Sequence, residues 1–363
     1  MINFFHRNSC NLLLPTLLSI AITTLNTSST HAFTFSNGEL EGSLDTTISY
    51  GARWRLQDRD NAIIGIANGG TAYSVNGDDG NLNYDKGLVS NVIKITPEMV
   101  LRYRNYGAFV RGTYFYDFEV MGNDTARTPL SDAAKGEVGE KAELLDAYVW
   151  GSWNPGEKPL DVRIGNQVVN WGESTFIQGG MNSINPVNVN SLRVPGAELR
   201  EALKPVPRLW ANFGATDKVS VEGFYQTHWE ETIIDPVGSY FSSSDLAGKG
   251  AEKVVLGFGS APDNPAFPTT AVPRGDTREA KDGGEYGISM NYLTNSDTEF
   301  GFYFVNYHSR LPIISAQTGS VAGAVGGDYP ASARYFLEYP EDIKILGTSF
   351  NTQVGTSGIS WQG

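Results

Sequence analysis

Side chains alternate between apolar and polar along several segments of the chain. In residues 44–56 most even positions are apolar, whereas the odd positions are polar, charged or small. The alternation recurs in residues 92–104 and, after a tight turn, in 108–118. A period of two residues is typical of a β-strand with two unlike faces. The same pattern predicts further strands at 143–153, 159–171, 207–213, 218–229, 285–293 and 298–309, and a tenth that begins near Val354.

The connections between these strands alternate in length. Those at 57–91, 119–142, 172–206, 230–284 and 310–353 are long, whereas those at 105–107, 154–159, 214–217 and 294–297 are short. This order predicts an all-β fold, a transmembrane antiparallel β-barrel of the outer-membrane type with long extracellular loops and short periplasmic turns. Aromatic residues near strand ends suit an interfacial girdle: Trp54, Tyr103, Phe118, Trp153 and Trp229. The alternatives are a secreted soluble β-sandwich and a β-solenoid, but no solenoid repeat is found.

Residues 1–32 have the features of a cleaved signal peptide. Arg7 precedes an apolar run, and in Thr30-His31-Ala32 small residues occupy the −3 and −1 positions of a cleavage site. The run is too short for a membrane-spanning helix, which needs about 20 residues. We therefore predict export to the outer membrane of a Gram-negative bacterium, with residues 33–363 as the barrel domain. Because nine strands and the start of a tenth do not close an even-numbered barrel, we expect an N-terminal portion of a longer barrel, incomplete at its C-terminus.

Charge and motifs exclude several function classes. Beyond Arg7 the chain has 26 basic and 40 acidic residues, a net charge near −14, which argues against a nucleic-acid partner. Only His228 and His308 remain after signal removal, and no zinc-protease, nucleophile-elbow or phosphate-loop motif occurs. His308 and Ser309 are adjacent in a strand and so point to opposite faces. We predict neither enzymatic activity nor a cofactor.

The polar faces of the strands supply the candidate site residues. They mix aromatic rings with charges of both signs, and such an amphipathic lumen could bind an apolar molecule. Alternatively, the rings pack against an inserted loop or plug, and both interpretations can hold together. The candidates for a ligand path are Phe109, Phe115, Tyr148, Trp150, Phe224, Tyr303 and Tyr307, and those for lumen charges are Arg53, Arg55, Arg102, Arg111, Asp117, Arg163 and Glu222.

The first long connection contains the oxygen-rich sequence VNGDDGNLNYDKG at 75–87. Asp79, Asn81 and Asn83 fall at positions 1, 3 and 5 of a calcium-hand spacing. Tyr84, however, stands where glycine is needed, and Ser90 where a bidentate glutamate is needed. An Asp-Gly step and several asparagines are typical first of all of a turn. We therefore predict no dedicated metal site. A weak surface candidate remains, Asp78, Asp79 and Asp85, which could share a divalent cation with the phosphates of lipopolysaccharide.

Five runs carry a resemblance to a known family: VNGDDGNLNYDKGLVSN (75–91), LRYRNYGAFVRGTYFYDFE (101–119), RIGNQVVNWGESTFI (163–177), NPVNVNSLRVPGAELREALKPVP (185–207) and FLEYPEDIKILGTSFNT (336–352). The chain resembles the large proteobacterial outer-membrane proteins catalogued as a domain of unknown function, thirteen-oh-two. That family includes the alkane-uptake barrel of marine oil-degrading bacteria. Its members are considerably longer than this chain.

The resemblance implies uptake of a hydrophobic or amphipathic small molecule such as an alkane. It also implies outer-membrane lipid and lipopolysaccharide as surroundings and a periplasmic or lipoprotein partner. No catalytic residues carry over from the family. The alternative functions are a general diffusion porin for small polar solutes and a surface or structural protein without transport.

Overall fold

The computed structural model describes residues 33–172, 180–267, 269–355 and 357–363. The predicted signal peptide, residues 1–32, lies outside the described residues. Within them the fold is mostly antiparallel β-sheet with a few short helices, as the alternation predicts. No helix in the described ranges has the length and apolar character that crossing a membrane requires.

The strands are numbered in chain order. They are β1 Phe33–Asn37, β2 Leu40–Arg55, β3 Gly87–Tyr103, β4 Tyr106–Asp117, β5 Glu140–Trp153, β6 Leu160–Gln167, β7 Val206–Thr216, β8 Val219–Gln226, β9 Lys253–Val255, β10 Ala271–Pro273, β11 Glu285–Leu293, β12 Glu299–Tyr307, β13 Ile313–Gln317, β14 Arg334–Glu338, β15 Ile343–Gln353 and β16 Ser360–Gln362.

The helices all lie in connections between strands. The α-helices are α1 Asp79–Leu82, α2 Phe118–Gly122, α3 Asp132–Val138, α4 Val189–Arg193, α5 Val321–Gly326 and α6 Tyr329–Ser332. Short 3-10 turns occur at Ile66–Asn68, Pro155–Glu157, Met181–Ile184 and Leu199–Glu201.

One large sheet organises the molecule. Its order is β1-β2-β3-β4-β5-β6-β7-β8-β11-β12-β15-β16, with every neighbouring pair antiparallel, and β1 and β16 form its unclosed edges in the described residues. The nine complete strands predicted from alternation are all confirmed, with shifted bounds. The alternation of short and long connections is also confirmed. Since neighbouring strands are antiparallel, the long connections all lie at one end of the sheet. Two small sheets, β9 with β10 and β13 with β14, lie inside the long connections.

The tenth strand, predicted from near Val354, is present only as the short β16 and is not the next strand of the sheet after β12. The strand that follows β12 in the sheet is β15, which ends at Gln353, just before the predicted start at Val354. Alternation is weak in β15 because Gly347 and Ser349 are small, and they are small because Met181 and Tyr303 lie against them. The strand β1 was also missed, although Asn37-Gly38 before β2 is a hairpin signal and Gly38 has a φ of 63°.

The large sheet exposes an apolar face. A row of cross-strand partners on this face runs through Val149, Ile164, Leu209, Tyr225 and Tyr286, on five successive strands of the sheet. Each of these side chains is between 43 and 56 % exposed. We call this side, with its flanking apolar residues, the exposed apolar face. Soluble monomers rarely expose apolar patches larger than a few hundred Å².

The opposite side of the sheet is covered by the long connections, and we call it the covered face. It carries buried charged residues such as Lys94, Arg111 and Arg208. Residues 168–172 and 180–205, the described part of the connection from β6 to β7, lie against this face. We call these residues the inserted segment. The sheet therefore exposes an apolar face, whereas its covered face mixes buried charges with buried aromatic rings.

Residues 197–203, AELREAL, are good helix formers, but they form little helix in the structure. The structure has a single 3-10 turn at Leu199–Glu201, and α4 precedes it. Val187 and Leu203 form an isolated antiparallel bridge, and the amide of Asn188 donates to the carbonyl of Ala202. Because this bridge holds residue 203 extended, the helix-forming sequence cannot complete a longer helix.

Packing of rings against strand glycines provides a first prediction. A Cβ on Gly287 would lie 2.6 Å from Phe224 Cε1 and 2.7 Å from Trp171 Cζ3. We expect Gly287→Ala to destabilise the fold by about 1–3 kcal/mol through overpacking. The measurement is the free energy of unfolding from denaturant titration.

Gly223→Ala on β8 is the matched control, since its Cβ would meet only the Gly287 carbonyl at 3.6 Å. It should be neutral or stabilising by up to about 1 kcal/mol. Equal effects of the two substitutions would contradict the packing described for Gly287.

Candidate functional site

Three of the predicted ligand-path rings lie in one cluster with the inserted segment. Phe224 and Tyr303 are buried with Trp171 and Ile184, and Tyr307 packs against the cluster. The ring centroids of Trp171 and Phe224 are 5.1 Å apart, and those of Trp171 and Tyr303 are 6.0 Å apart. At these positions the predicted rings pack against an inserted loop, as the plug interpretation expects.

A second group of rings stays partly open at the other end of the covered face. Phe109, Tyr148 and Trp150 form a ladder, with centroids 5.6 Å apart for the first pair and 6.1 Å for the second. All three are half-buried. We call them the aromatic ladder. Trp150 lies directly over Gly107 of the neighbouring strand, where a Cβ would approach its ring to 2.1 Å.

Arginine continues the aromatic ladder towards β7. The guanidinium carbon of Arg163 lies 5.7 Å from the ring centre of Tyr148 and 4.4 Å from that of Trp210. Such stacking leaves the cation in contact with a ring and offers an amphipathic surface. Phe115, the seventh predicted ring, is separate from both groups and is buried near Lys94 and Glu201.

Two of the seven predicted lumen charges, Arg53 and Arg55, hold long connections in place. Arg53 donates to the carbonyl of Arg193 in the inserted segment, and both guanidinium groups stack on Phe241, at 4.7 and 4.4 Å. Arg55 donates to the backbone and side-chain oxygens of Asn81 in the first long connection. These charges fix the loops that cover the sheet.

The remaining predicted charges divide between buried partners and solvent. Arg111 forms a buried ion pair with Asp146 at 2.6 Å, which joins the neighbouring strands β4 and β5. Glu222 accepts hydrogen bonds from the indoles of Trp171 at 2.7 Å and Trp210 at 3.3 Å, so it joins the inserted segment to the large sheet. Asp117 accepts from Ser90 at 2.6 Å and caps α2, whereas Arg102 is exposed near a short turn.

The strongest anchors of the inserted segment were not among the predicted residues. Lys94 of β3 donates to both carboxylate oxygens of Glu201, at 2.9 and 2.7 Å, and both side chains are at least 90 % buried. Arg208 donates to Asn185 at 2.6 Å and also to the carbonyl of Ile184. No sequence spacing reveals the pair of Lys94 and Glu201, because one residue lies on a strand and the other in a distant connection.

Arg310 adds a further anchor from the last long connection. It pairs with the buried Glu285 at 2.7 Å and donates to the same Ile184 carbonyl at 3.1 Å. His308 lies beside it with no exposed surface, and both ring nitrogens are engaged, by the amide of Asp342 and the carbonyl of Gly283. Ser309 instead donates to the carbonyl of Leu311, so the two residues do not form a nucleophile and base pair.

The prediction that Trp229 belongs to an interfacial girdle is wrong. It is 6 % exposed, and its ring lies 4.7 Å from that of Tyr339, inside the long connections. Trp54, Tyr103, Phe118 and Trp153 are exposed, between 37 and 51 %, as the sequence predicts. Trp229 follows β8 rather than belonging to it, so strand alternation no longer determines where its side chain points.

The three candidate metal ligands of the first long connection do not lie together on a surface. Asp85 is exposed and pairs with Arg59 at 3.2 Å. Asp78 and Asp79 are buried, and they lie instead with Asp263, with one carboxylate oxygen of each of the three within 4.8 Å of the others. Sequence spacing could not identify Asp263, because it lies in another connection.

The surroundings of these acids alter their protonation. Burial raises the pKa of Asp78 and of Asp79 above the usual carboxyl range. Burial also raises the pKa of Asp245 to about 8, and the charges of Asp79, Asp78 and Asp263 act in the same direction. The four carboxylates are therefore close enough to repel one another.

The family described as Protein of unknown function (DUF1302) matches residues 13–363, and the chain belongs to this family. No curated protein matches the chain.

The Lys94–Glu201 pair generates a second prediction. Lys94→Met leaves the Glu201 carboxylate buried without its cation, which costs about 3–5 kcal/mol for a buried pair. We therefore expect the inserted segment to detach and its cleavage by protease to accelerate, measured as the rate of cutting within residues 180–205.

The double variant Lys94→Met/Glu201→Leu is the matched test, because it leaves no unpaired charge. It should lose much less stability than the sum of the single substitutions. Additive effects in a double-mutant cycle would show that the two side chains do not interact.

Proposed function

We propose that the protein is an outer-membrane β-barrel that passes a hydrophobic or amphipathic small molecule inward. The observation that carries the proposal is the difference between the two faces of the sheet. An apolar row is exposed on one face, and charged residues are buried on the other. A lipid bilayer is the solvent in which such an arrangement is stable. The short turns then lie on the periplasmic side and the long connections outside.

The aromatic ladder supports an apolar cargo in preference to small polar solutes. Its three half-buried rings and the stacked Arg163 offer flat apolar contact on the covered face, near the short turns. The buried cluster of Trp171 and Phe224 lies between the inserted segment and the wall. We propose that cargo enters past the outer connections and leaves over the aromatic ladder, with no catalytic step.

The inserted segment also argues against a wide open pore. It is fixed to three different strands, through Lys94, Arg208 and Glu222. A general diffusion porin needs a water-filled channel, whereas here loops cover the charged face. The general porin therefore remains only the alternative function.

Membrane insertion is tested by a matched pair of substitutions. Ile288 on β11 and Ile63 in the first long connection are each 53 % exposed. If the exposed apolar face meets lipid, Ile288→Arg should cost about 2–4 kcal/mol at mid-depth. Ile63→Arg should remain within about 0.5 kcal/mol, as for an ordinary surface position.

The measurement is the free energy of unfolding for protein folded into lipid vesicles. Equal, small effects at both positions would contradict a lipid-facing sheet and favour a soluble exported β-protein.

Cargo transport is tested in a strain that lacks the gene. The strain is complemented with the wild-type gene, with Trp150→Ala or with Trp153→Ala, and initial accumulation of labelled hexadecane is measured. Trp150 belongs to the aromatic ladder, whereas Trp153 lies on the exposed apolar face of the same strand. We expect Trp150→Ala to slow accumulation several-fold and Trp153→Ala to leave it near the wild-type rate.

Unchanged accumulation of hexadecane and of other apolar compounds in the deletion strain would refute the proposal. Rapid, unselective swelling of liposomes by sugars would instead favour the porin alternative.

A further inference from the structure

Four aspartates from two separate long connections converge beneath the outer loops. Asp78 and Asp79 come from the connection between β2 and β3, and Asp263 from the connection between β8 and β11. Asp245, from that second connection, lies close enough for its charge to interact with the other three. An acidic cluster alone is common on protein surfaces, but this one is buried.

The cluster contains carboxylate oxygens without donors. Asp78 has no exposed surface, and its Oδ1 has no hydrogen-bond partner among the described residues. Both side-chain oxygens of Asp245 are also buried, with the backbone amide of Asp79 beside them. A buried ionised oxygen without a partner is costly, whereas a cation removes that cost.

The other oxygens of the cluster are already held in place. Asp78 Oδ2 accepts from the amide of Gly65 at 2.8 Å and from Asn68 Nδ2 at 2.9 Å. Asp79 Oδ1 accepts from the hydroxyl of Thr128 at 2.7 Å. These contacts orient the carboxylates, so a bound ion would not have to order them.

One cation compensates part of the negative charge. Arg127 forms an ion pair with Asp263 and also donates to Asn68 at 2.6 Å. Against four carboxylates this leaves a local excess of three negative charges, if all four are ionised. Calcium takes six to eight oxygen ligands in flexible geometry, and carboxylates are its preferred protein ligands.

We propose that Asp78, Asp79 and Asp263 form a calcium site that clamps the outer connections together. The unpartnered Oδ1 of Asp78 ligates the ion, together with carboxylate oxygens of Asp79 and Asp263. Mg²⁺ binds more weakly, because it demands near-ideal octahedral geometry and gives up its water reluctantly.

The location indicates what the ion does. Asn83, four residues after Asp79, donates to the carbonyls of Thr128 and Gly238, each at 2.9 Å. It therefore joins the same connections as the aspartates, with a third one from between β4 and β5. Calcium would reinforce these contacts and keep the outer loops closed over the covered face.

The test uses the full chain in detergent micelles, stripped with EDTA and titrated with CaCl₂ in a calorimeter. We expect one saturable Ca²⁺ site per chain, with Mg²⁺ weaker. Asp78→Asn should weaken Ca²⁺ binding at least about tenfold, because it removes one ligand charge. Asp85→Asn, in the same connection but exposed, is the matched control and should bind as the wild type does.

Protease resistance of the outer connections is the second readout. Ca²⁺ should slow cleavage between residues 56 and 86 in the wild type and in Asp85→Asn, but not in Asp78→Asn. If Asp78→Asn fails to fold, Asp79→Asn provides the same comparison.

Absence of a saturable Ca²⁺ site in the wild-type chain would overturn the proposal, whatever the variants do. Binding that is equally weakened in Asp85→Asn would also overturn it and indicate diffuse surface charge. Neither result bears on hexadecane accumulation, so this site and the proposed transport can fail independently.

Discussion

The need to neutralise buried charge on the covered face is the constraint on which the rest of the structure depends. Because the sheet exposes its apolar side, its charged side faces inward and must find partners there. The long connections supply those partners: Glu201 meets Lys94, and the carbonyl of Ile184 meets Arg208 and Arg310. The loops are therefore part of the core of the protein, although they lie between strands in the sequence. Removing one charged partner costs more than removing both, so these contacts also specify where each loop sits.

The strands could be predicted because their information is local. A period of two residues, interrupted by turn residues, predicts β2 to β8 and both β11 and β12, and the order of short and long connections predicts antiparallel neighbours. The prediction failed where local pattern was weakened by tertiary contact. In β15 the inward positions are glycine and serine because Met181 and Tyr303 lie against them, and nothing within the strand sequence records those neighbours.

The candidate site was predictable only in part, for the same physical reason. Alternation placed Phe109, Tyr148 and Trp150 on one face correctly, since they lie on strands. It could not separate these open rings from Phe224 and Tyr303, which the inserted segment covers. The segment's position depends on ion pairs between residues about one hundred positions apart, such as Lys94 and Glu201. Residue spacing carries no information about contacts at that distance.

The oxygen-rich stretch at 75–87 shows how a loop acquires a role from its surroundings. Taken alone it is a turn with an incomplete calcium-hand spacing. In the fold its asparagines bind other connections: Asn76 exchanges hydrogen bonds with the backbone of Val255, and Asn83 with that of Thr128. Asp78 and Asp79 then lie against Asp263 rather than solvent, whereas Asp85 stays exposed. Because the missing ligands of a local motif are supplied from a distant loop, such a site can form only after the outer connections have assembled. An ion bound there would therefore stabilise the assembled loops and not the isolated turn, which links cation binding to closure over the covered face.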